Sequence, residues 1–286
     1  MPGPLLVVDA PSLLYRAFHA LPSTITDDAG TPVNALLGAL NTMMRVTADH
    51  RPRAVVMCFG PDAATYRVEL YPPYHAARPP VPDELAPQWA DAPGFFAAFG
   101  WSTETSEDLE ADDLLGSLAT VEAEAGGRAL ILTGDRDLFQ CVGERVEVLY
   151  LRTGGKGPEP IDARVVRERY GVNPAQVPDF IALRGDPSDG LPGGTGIGEK
   201  TAAELLERHG TLEAALAGAV RERRPRVRSA LLEEADLLRT FRDIALLRHA
   251  PVERPPDRAT DFAGGAAAAR ARGMSSLAER LDAASG

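Results

Sequence analysis

Acidic residues stand at four places in the chain where their side chains could bind metal ions. Two groups follow apolar runs, a third opens a predicted helix, and a fourth lies in the turn RGDPSDG. The candidate ligands are Asp9, Glu110, Asp112, Asp113, Asp135, Asp137, Asp186 and Asp189. Carboxylates that converge without a cation raise one another's pKa, whereas Mg²⁺ and Mn²⁺ prefer such oxygen ligands. Two ions about 4 Å apart suit phosphodiester hydrolysis, and the alternative for a single helix-start acid is a capping or dipole role.

Four short apolar runs predict the buried strands that would position these acids. They are Leu5–Val8, Ala54–Phe59, Ala129–Thr133 and Val146–Leu149, with helical patterns between them over Asn34–Thr47, Glu84–Phe99 and Glu110–Ala125. Alternating strands and helices predict an α/β fold with a central, mostly parallel sheet flanked by helices. Because ligands collect beyond the carboxyl ends of parallel strands, we expect the acids to meet at one edge of the sheet.

The second half of the chain has a helical pattern. The predicted helices are Asp162–Tyr170, Ala175–Leu183, Thr201–His209, Thr211–Ala217 and roughly Ser229–Asp243, and the GGAAAARARG stretch is expected to be loosely ordered until Met274–Leu281. We therefore expect an α/β domain over residues 1–160, closed by the Gly/Pro-rich segment Gly154–Pro160, and a helical part over residues 161–286. The long segment Gly60–Asp83 is too long for an ordinary tight connection and is expected to be functional.

A glycine-rich segment, LPGGTGIGEKTAAELLERHG, begins at Leu191 and predicts a phosphate site. It is not a Walker loop, because Glu199 separates the last glycine from the lysine, and no strand precedes it as in a dinucleotide fingerprint. Glycines in a tight turn let backbone N–H groups approach a phosphate beside the positive end of the next helix. We predict a helix–turn–helix at 191–209 that holds duplex backbone through Gly196, Gly198, Lys200 and Thr201; the alternative for Lys200 is a solvated helix-start residue.

A run of arginines follows this segment. In VRERRPRVR, five arginines accompany one acid, Glu222; they are Arg221, Arg223, Arg224, Arg226 and Arg228. The run is either a solvated basic loop or a second stretch that contacts phosphates.

Composition sets the class of protein. The chain has 286 residues, of which 44% are hydrophobic and 25% charged, as in a globular protein of about two domains. No apolar run reaches the ~20 residues of a membrane helix, and the N-terminus does not read as a signal peptide. Two cysteines favour a reducing, cytoplasmic location. The net charge of −11 disfavours a nucleic-acid partner, but without the eight candidate ligands 33 acids face 30 bases.

Together these segments resemble the 5′-nuclease family, which includes the N-terminal domain of bacterial DNA polymerase I, bacteriophage 5′-nucleases and flap endonucleases. The resemblance is carried by LLVVDAPSLLYRAFHALP, ATYRVELYPPYHAARPPVPDEL, EADDLLG, LTGDRDLFQ and GDPSDGLPGGTGIGEKTA, in the family's order and spacing. It implies a PIN-like α/β fold, a helical arch at about 60–83 and a C-terminal helix–three-turn–helix part. No polymerase segment follows, so we expect a stand-alone form.

The resemblance also implies roles for individual residues. It divides the acids into a first metal cluster (Asp9, Glu110, Asp112, Asp113) and a second (Asp135, Asp137, Asp186, Asp189). It places Arg16, His75 and Arg78 at catalytic positions, with the two arginines near the scissile phosphate. It implies that Tyr74 stacks on an unpaired base, and that the Gly196–Gly198 turn binds a K⁺ ion.

Two positions depart from the family's pattern. The family usually has Asp after the second strand and Lys after the tyrosine of the arch, where this chain has Gly60 and His75. Asp62 could reach the metal instead of the missing carboxylate. We expect altered metal affinity or a steeper pH dependence, with Asp at position 60 and Lys at position 75 restoring tighter metal binding and a higher rate near neutral pH.

The function expected from these observations is metal-dependent hydrolysis of DNA with a 5′ flap or 5′ end, acting as a 5′-3′ exonuclease and flap endonuclease that leaves 5′-phosphates. The expected cofactors are two divalent ions, Mg²⁺ or Mn²⁺. We further expect a monomer in the cytoplasm, associated with the bacterial nucleoid, that acts in replication or repair beside a separate DNA polymerase and without a membrane. The alternatives are a flap-binding protein that cleaves weakly or not at all, a PIN-type ribonuclease and a small-molecule phosphatase.

Overall fold

A six-stranded sheet forms the centre of the molecule. The computed structural model describes residues 3–152, 154 and 157–285. The strands are β1 Leu5–Asp9, β2 Ala54–Phe59, β3 Ser102–Thr105, β4 Ala129–Thr133, β5 Val146–Tyr150 and β6 Glu159–Ile161, in the spatial order β3-β2-β1-β4-β5-β6. All neighbours pair in parallel except β5 and β6. The prediction of a mostly parallel α/β sheet is confirmed.

The central strands are continuous apolar runs because both faces of the sheet are covered. In β1, Leu5 and Val7 belong to one core, whereas Leu6 and Val8 belong to the other. The second of these cores also contains apolar side chains from three helices, α1 Ala10–Ala20, α2 Asn34–His50 and α4 Ala86–Ala97. The short helix α3 Thr65–Leu70 contributes no side chain to it. Helix α5 Ala111–Glu124 packs on the first face.

The first core continues without a break into the helical half of the chain. Its helices are α6 Ala163–Tyr170, α7 Val177–Arg184, α8 Glu199–His209, α9 Leu212–Ala217, α10 Pro225–Glu233 and α11 Ala235–Ala245. Phe180 of α7 and Phe241 of α11 lie in the same apolar cluster as Val148 of the sheet. The sheet and these helices therefore share one core.

An extended segment, residues 246–261, carries the chain from one face of the sheet to the other. Buried Arg53 donates to the carbonyl of Pro255 (2.8 Å) and pairs with Asp257 and Glu122. Two helices follow, α12 Phe262–Arg270 and α13 Ser275–Ala284, and their apolar side chains join the core beneath α1 and α2. Helices α12 and α13 therefore pack on the sheet face opposite to α7 and α11. The domain boundary at residue 160 stays a prediction.

The differences from the sequence-based expectations have simple causes. The edge strands β3 and β6 were not predicted because they are short and largely polar (STET and EPI). Helix α12 replaces the expected loose stretch, since Ala266 and Ala269 are fully buried and its N-terminus is capped by the Asp261 side chain. Residues 155 and 156 of the segment Gly154–Pro160 lie outside the described residues. In the described part of the chain, no helix is long and apolar enough to cross a membrane.

Candidate active site

Seven of the eight predicted acids line one cleft at the carboxyl edge of the sheet. They are Asp9, Glu110, Asp112, Asp135, Asp137, Asp186 and Asp189. Strand β1 pairs directly with β4, so the acids that follow these two strands are neighbours. The N-terminus of α5 and the turn after α7 meet the same edge. The exception is Asp113, which is fully buried and does not line the cleft.

Asp9 joins the end of β1 to the start of α1. Its Oδ1 accepts the backbone N–H of Ser12 at 3.0 Å, as an N-cap does, and its Oδ2 accepts the hydroxyl of Thr133 at 2.7 Å. Burial raises the pKa of Asp9 despite these hydrogen bonds. Sequence reasoning missed Thr133, whose hydroxyl also accepts the backbone N–H of Asp135 at 3.0 Å and thus connects the two carboxylates.

Asp112, Asp135 and Asp137 form the most electrostatically strained part of the cleft. Burial and the charges of Asp135 and Asp9 raise the pKa of Asp112 well above its ordinary value. Burial and the charge of Asp189 raise the pKa of Asp135 to about 6. Burial and the charge of Asp135 raise the pKa of Asp137 well above its usual range. Such repulsion between buried carboxylates is what a bound cation would relieve.

A buried arginine lies behind the first cluster, and sequence reasoning did not find it. Arg67 on α3 pairs with Glu110 at 2.9 Å and with Asp113 at 3.0 Å, and its Nε donates to the carbonyl of Ile244 at 3.0 Å. The available signal was a basic residue inside the apolar pattern of TYRVEL. Asp113 also accepts the backbone N–H of Arg248 at 2.7 Å, so it holds Arg67 and the extended segment together.

The turn after α7 carries Asp186 and Asp189. Asp186 accepts the Ser188 backbone N–H at 2.9 Å and pairs with Arg184 at 3.1 Å. Asp189 Oδ1 lies 3.2 Å from His75 Nε2 and 2.9 Å from Arg78 Nη2. Burial alone would raise the pKa of Asp189, but the hydrogen bond from His75 and the charge of Arg78 outweigh it and lower the pKa.

The segment 60–83 closes over the cleft instead of standing open above it. His75 has a positive φ of 56° and its Nδ1 lies 2.6 Å from the Asp62 carbonyl oxygen. Tyr74 donates to Glu110 at 3.0 Å and its ring stacks on that of His75 at 3.8 Å between centroids. The side chain expected to stack on a base is therefore buried here, because Glu110 binds its hydroxyl.

Gly60 has no room for the carboxylate that the family usually carries there. A Cβ at this position would lie 2.7 Å from the Ala111 nitrogen and 2.7 Å from the Leu109 oxygen, both backbone atoms. The expectation that Asp at position 60 simply restores a ligand is corrected by this contact. Asp62 lines the same cleft, but its side chain is 72% exposed and pairs with Arg78 at 3.2 Å. Its replacement of the missing group stays a prediction.

Arg16 reaches the cleft from α1. Its Nη2 donates to the carbonyl of Gly134 at 3.0 Å, between the end of β4 and Asp135. Arg78 pairs with Asp189 at 2.9 Å and with Asp62 at 3.2 Å. The two arginines predicted to contact phosphate thus line the same cleft as the acids.

The donor set suits a hard divalent cation, because it consists of carboxylate oxygens. Asp113 does not add to this donor set: its Oδ2 is buried without a hydrogen-bond partner among the described residues, but the residue does not line the cleft. No group of three or more His, Cys, Asp or Glu side chains in residues 3–152, 154 and 157–285 is already arranged to hold an ion.

The predicted phosphate-binding turn lies away from the cleft, between α7 and α8. Gly196 has φ +79°, which favours glycine, and Gly198 precedes α8 as its N-cap without any side-chain cap. A Cβ at Gly198 would meet nothing within 4 Å, so open space faces this position. Lys200 and Thr201 lie in the first turn of α8, and Lys200 is exposed.

Two family models match consecutive parts of the chain. The 5′-3′ exonuclease N-terminal resolvase-like domain matches residues 4–171, and the 5′-3′ exonuclease C-terminal SAM fold matches residues 172–260. A 5′-3′ exonuclease of Mycobacterium tuberculosis is 36% identical over 311 residues, covering 98% of this chain and 97% of that protein. DNA polymerase I of Mycobacterium bovis is 38% identical over 255 residues, and the chain spans 28% of its length.

Solved structures share the fold at low identity. T5 5′-exonuclease with divalent metal ions (zinc) bound superposes with a TM-score of 0.72 at 15% identity over 99% of both chains. The catalytic core of Rad2 in complex with DNA substrate has a TM-score of 0.64 at 15% identity, over 99% of this chain and 91% of that one. From the two family models and the full-length relative, the chain belongs to the 5′-3′ exonuclease family.

Proposed function

We propose that this chain is a metal-dependent 5′-3′ exonuclease and 5′-flap endonuclease that acts on DNA. One observation carries the proposal: acids from four separate segments converge on a cleft that also contains Arg16 and Arg78. Seven buried or half-buried carboxylates lower the stability of a metal-free fold. Divalent cations, which also bind phosphates, would offset this loss of stability. The solved structures of T5 5′-exonuclease with divalent metal ions and of the Rad2 catalytic core with DNA support this proposal.

The residues proposed to hold two divalent ions, Mg²⁺ or Mn²⁺, are those that line the cleft. Asp9, Glu110 and Asp112 would hold the first ion, and Asp135, Asp137, Asp186 and Asp189 the second. Asp113, which lies behind them, positions Arg67 and helps to orient the first group. When bound, such ions would supply Lewis acidity that activates water at neutral pH and offsets charge on the leaving oxygen.

The chain's own cations orient the phosphate. Arg16 and Arg78 offer planar guanidinium groups that match phosphate oxygens in a bidentate manner. Arg78 is now paired with Asp189, so entry of a phosphate exchanges one anionic partner for another. The segment 60–83 must also release Glu110 from Tyr74 before the 5′ strand can pass beneath it. The expected products carry a 5′-phosphate.

The turn Gly196–Gly198 is proposed to hold the backbone of the downstream duplex. The open space at Gly198 and the uncapped first turn of α8 allow a phosphate to approach backbone N–H groups. Lys200 and Thr201 would add a charge and a hydroxyl beside them. A K⁺ ion at this turn, and action beside a separate DNA polymerase, are part of the same proposal.

A cleavage assay tests the proposal. The protein is incubated with labelled 5′-flap DNA, a matched RNA and a simple phosphate ester, each with Mg²⁺ or Mn²⁺ and each with EDTA. We expect metal-dependent release of the DNA flap with a 5′-phosphate and little action on the RNA or the ester. Asp135→Asn, purified in parallel, measures contaminating nuclease and is expected to be inactive.

The alternative is a flap-binding protein that cleaves weakly or not at all. It is motivated by His75, where the family usually carries Lys, and by Gly60, where the usual carboxylate is absent and a Cβ would meet backbone atoms at 2.7 Å. The complete second cluster, Asp135, Asp137, Asp186 and Asp189, argues against it. Tight binding of the flap without cleavage in both metals would establish this alternative and contradict the proposed enzyme.

A further inference from the structure

The arginine run, which extends from the connection after α9 into the first turn of α10, separates into two sets with different partners. Glu222, at the centre of the run, has a side chain that is only 4% exposed, and it binds Arg208 at 3.0 Å and Arg224 at 3.0 Å. Its backbone carbonyl accepts Arg228 at 3.1 Å. The hydrogen bond from Arg224 lowers the pKa of Glu222 to about 2. These arginines hold the loop together and are committed to protein partners.

The other set consists of Arg221, Arg223 and Arg226, which are exposed. None of these three side chains has an ion pair or hydrogen bond among the described residues. Three neighbouring cations that no acid neutralises repel one another and attract an anion. Two arginines of the run, Arg224 and Arg228, therefore stabilise the loop, whereas the other three face solvent.

Arg226 connects this set to the turn that precedes α8. A Cβ at Gly196 would lie 2.8 Å from Arg226 Cδ and 3.0 Å from its Nε, so the arginine side chain lies across the glycine. The two segments are 30 residues apart in the sequence, and their separate predictions did not place them together. In the structure they form one surface.

One acid also reaches this turn. Glu234, the residue before α11, accepts the Thr195 backbone N–H at 2.9 Å through its Oε2. The carboxylate takes one N–H of the turn, so a second anion must be held farther along, by the first turn of α8 and by a cation that offsets Glu234. Arg226 is placed to supply that charge, because its side chain lies across Gly196, the residue after Thr195.

We propose that Arg226, with Arg223 beside it, extends the duplex-binding surface from the Gly196 turn onto the start of α10, so that consecutive phosphates of one DNA strand contact both segments. The inference rests on the proposed function for the DNA partner. It adds a named binding residue outside the glycine-rich turn. A polyanion fits this surface, because Arg223 and Arg226 are exposed cations three positions apart in the sequence and Arg226 lies across Gly196.

The test measures binding of the full chain to a labelled DNA duplex in EDTA, so that no DNA is cleaved. The KCl concentration is varied from about 50 to about 200 mM, because DNA binding through phosphates changes strongly over this range. For Arg226→Gln we expect binding about 3- to 10-fold weaker at the lowest salt, and a salt slope reduced by about one. Arg223→Gln combined with Arg226→Gln should lower the slope further. An unchanged melting temperature confirms that the variants fold.

Arg280→Gln is the matched control, because it removes the same charge from α13, where Arg280 is exposed and donates to Asn41 at 2.8 Å. Affinity and slope equal to those of this control would overturn the inference. If the wild type cleaves flaps while Arg226→Gln binds normally, the surface is wrong and the proposed function stands. If no DNA is cleaved but Arg226→Gln still weakens duplex binding, the proposed function fails and the surface stands.

Discussion

The hydroxyl of Tyr74 donates a 3.0 Å hydrogen bond to Oε2 of Glu110, which ties the segment 60–83 to a carboxylate at the start of α5. Burial and the charge of Glu110 raise the pKa of Tyr74 well above its ordinary value, so the phenol keeps its proton and donates. The other oxygen of Glu110 accepts the Ala64 backbone N–H at 2.7 Å. A divalent ion bound to Glu110 would therefore compete with the segment 60–83 for the two carboxylate oxygens of Glu110.

Replacing Tyr74 by Phe tests this competition. The variant loses one buried hydrogen bond, so we expect a loss of about 1 kcal/mol in the free energy of unfolding of the metal-free protein. We also expect faster limited proteolysis between residues 60 and 83. The control is Tyr71→Phe, since Tyr71 contributes its ring to Phe241 at 5.2 Å. Equal stability and equal proteolysis for both variants would contradict the role of the hydrogen bond.

Substitution of Gly60 by Asp is expected to destabilise the protein and not to tighten metal binding. The new Cβ meets backbone atoms of residues 109–111, which cannot move aside as a flexible side chain would. Overpacking of this kind costs about 1–3 kcal/mol, and it displaces Glu110 as well. Urea unfolding and Mn²⁺ titration calorimetry measure the two effects. Gly143→Ala, where a Cβ meets nothing within 4 Å, is the control; tighter Mn²⁺ binding without loss of stability would refute the prediction.

The stability of the metal-free protein should depend on the charge of Asp135. Its folded-state pKa is about 6 against an ordinary 3.8, because burial and Asp189 disfavour the carboxylate. A raised folded-state pKa contributes stability that is complete below about pH 4 and is lost as the pH rises through about 6. We therefore expect Asp135→Asn to match the wild type near pH 4 and to be more stable by about 2 kcal/mol at pH 7 in EDTA.

The measurement is urea unfolding of the two proteins in EDTA at several pH values. Asn keeps an oxygen that can accept the Asp137 backbone N–H, which Asp135 now accepts at 2.8 Å. Addition of Mn²⁺ at pH 7 should stabilise the wild type more than the variant, because only the wild type retains the carboxylate. A stability difference that stays constant from pH 4 to 7 would show that the charge of Asp135 is not the cause.

Glu122 is expected to be the most sensitive position for attachment of the extended segment 246–261. Its side chain is 1% exposed and binds both Arg53 and Arg254. Glu122→Gln leaves Arg53 buried without a full counter-charge, which costs about 3–5 kcal/mol. Thermal unfolding checks this. Glu168→Gln, which breaks an exposed pair with Arg164 on α6, should change the free energy of unfolding by less than about 0.5 kcal/mol; similar losses in both variants would contradict the prediction.

Much of the fold could be predicted because its signals are local. The strands Ala54–Phe59 and Ala129–Thr133 have the predicted bounds, since runs of buried Val, Ile and Leu reveal themselves without their neighbours. The meeting of the acids that follow β1 and β4 also followed from parallel pairing of these strands. The edge strand β3 could not be predicted in this way, because only its partner β2 makes the half-exposed sequence STET a strand.

The sequence by itself determined the α/β class, the acids at the strand ends and the membership suggested by the order of the motifs. Only the tertiary structure decided which groups meet: Asp113 is fully buried and pairs with Arg67 without lining the cleft, the backbone at Leu109–Ala111 closes on Gly60, and Arg226 crosses Gly196. The physical reason is the distance along the chain over which each kind of interaction acts. Periodicity and capping act within a few residues, whereas contacts between groups 30 to 50 positions apart depend on how the packed elements meet.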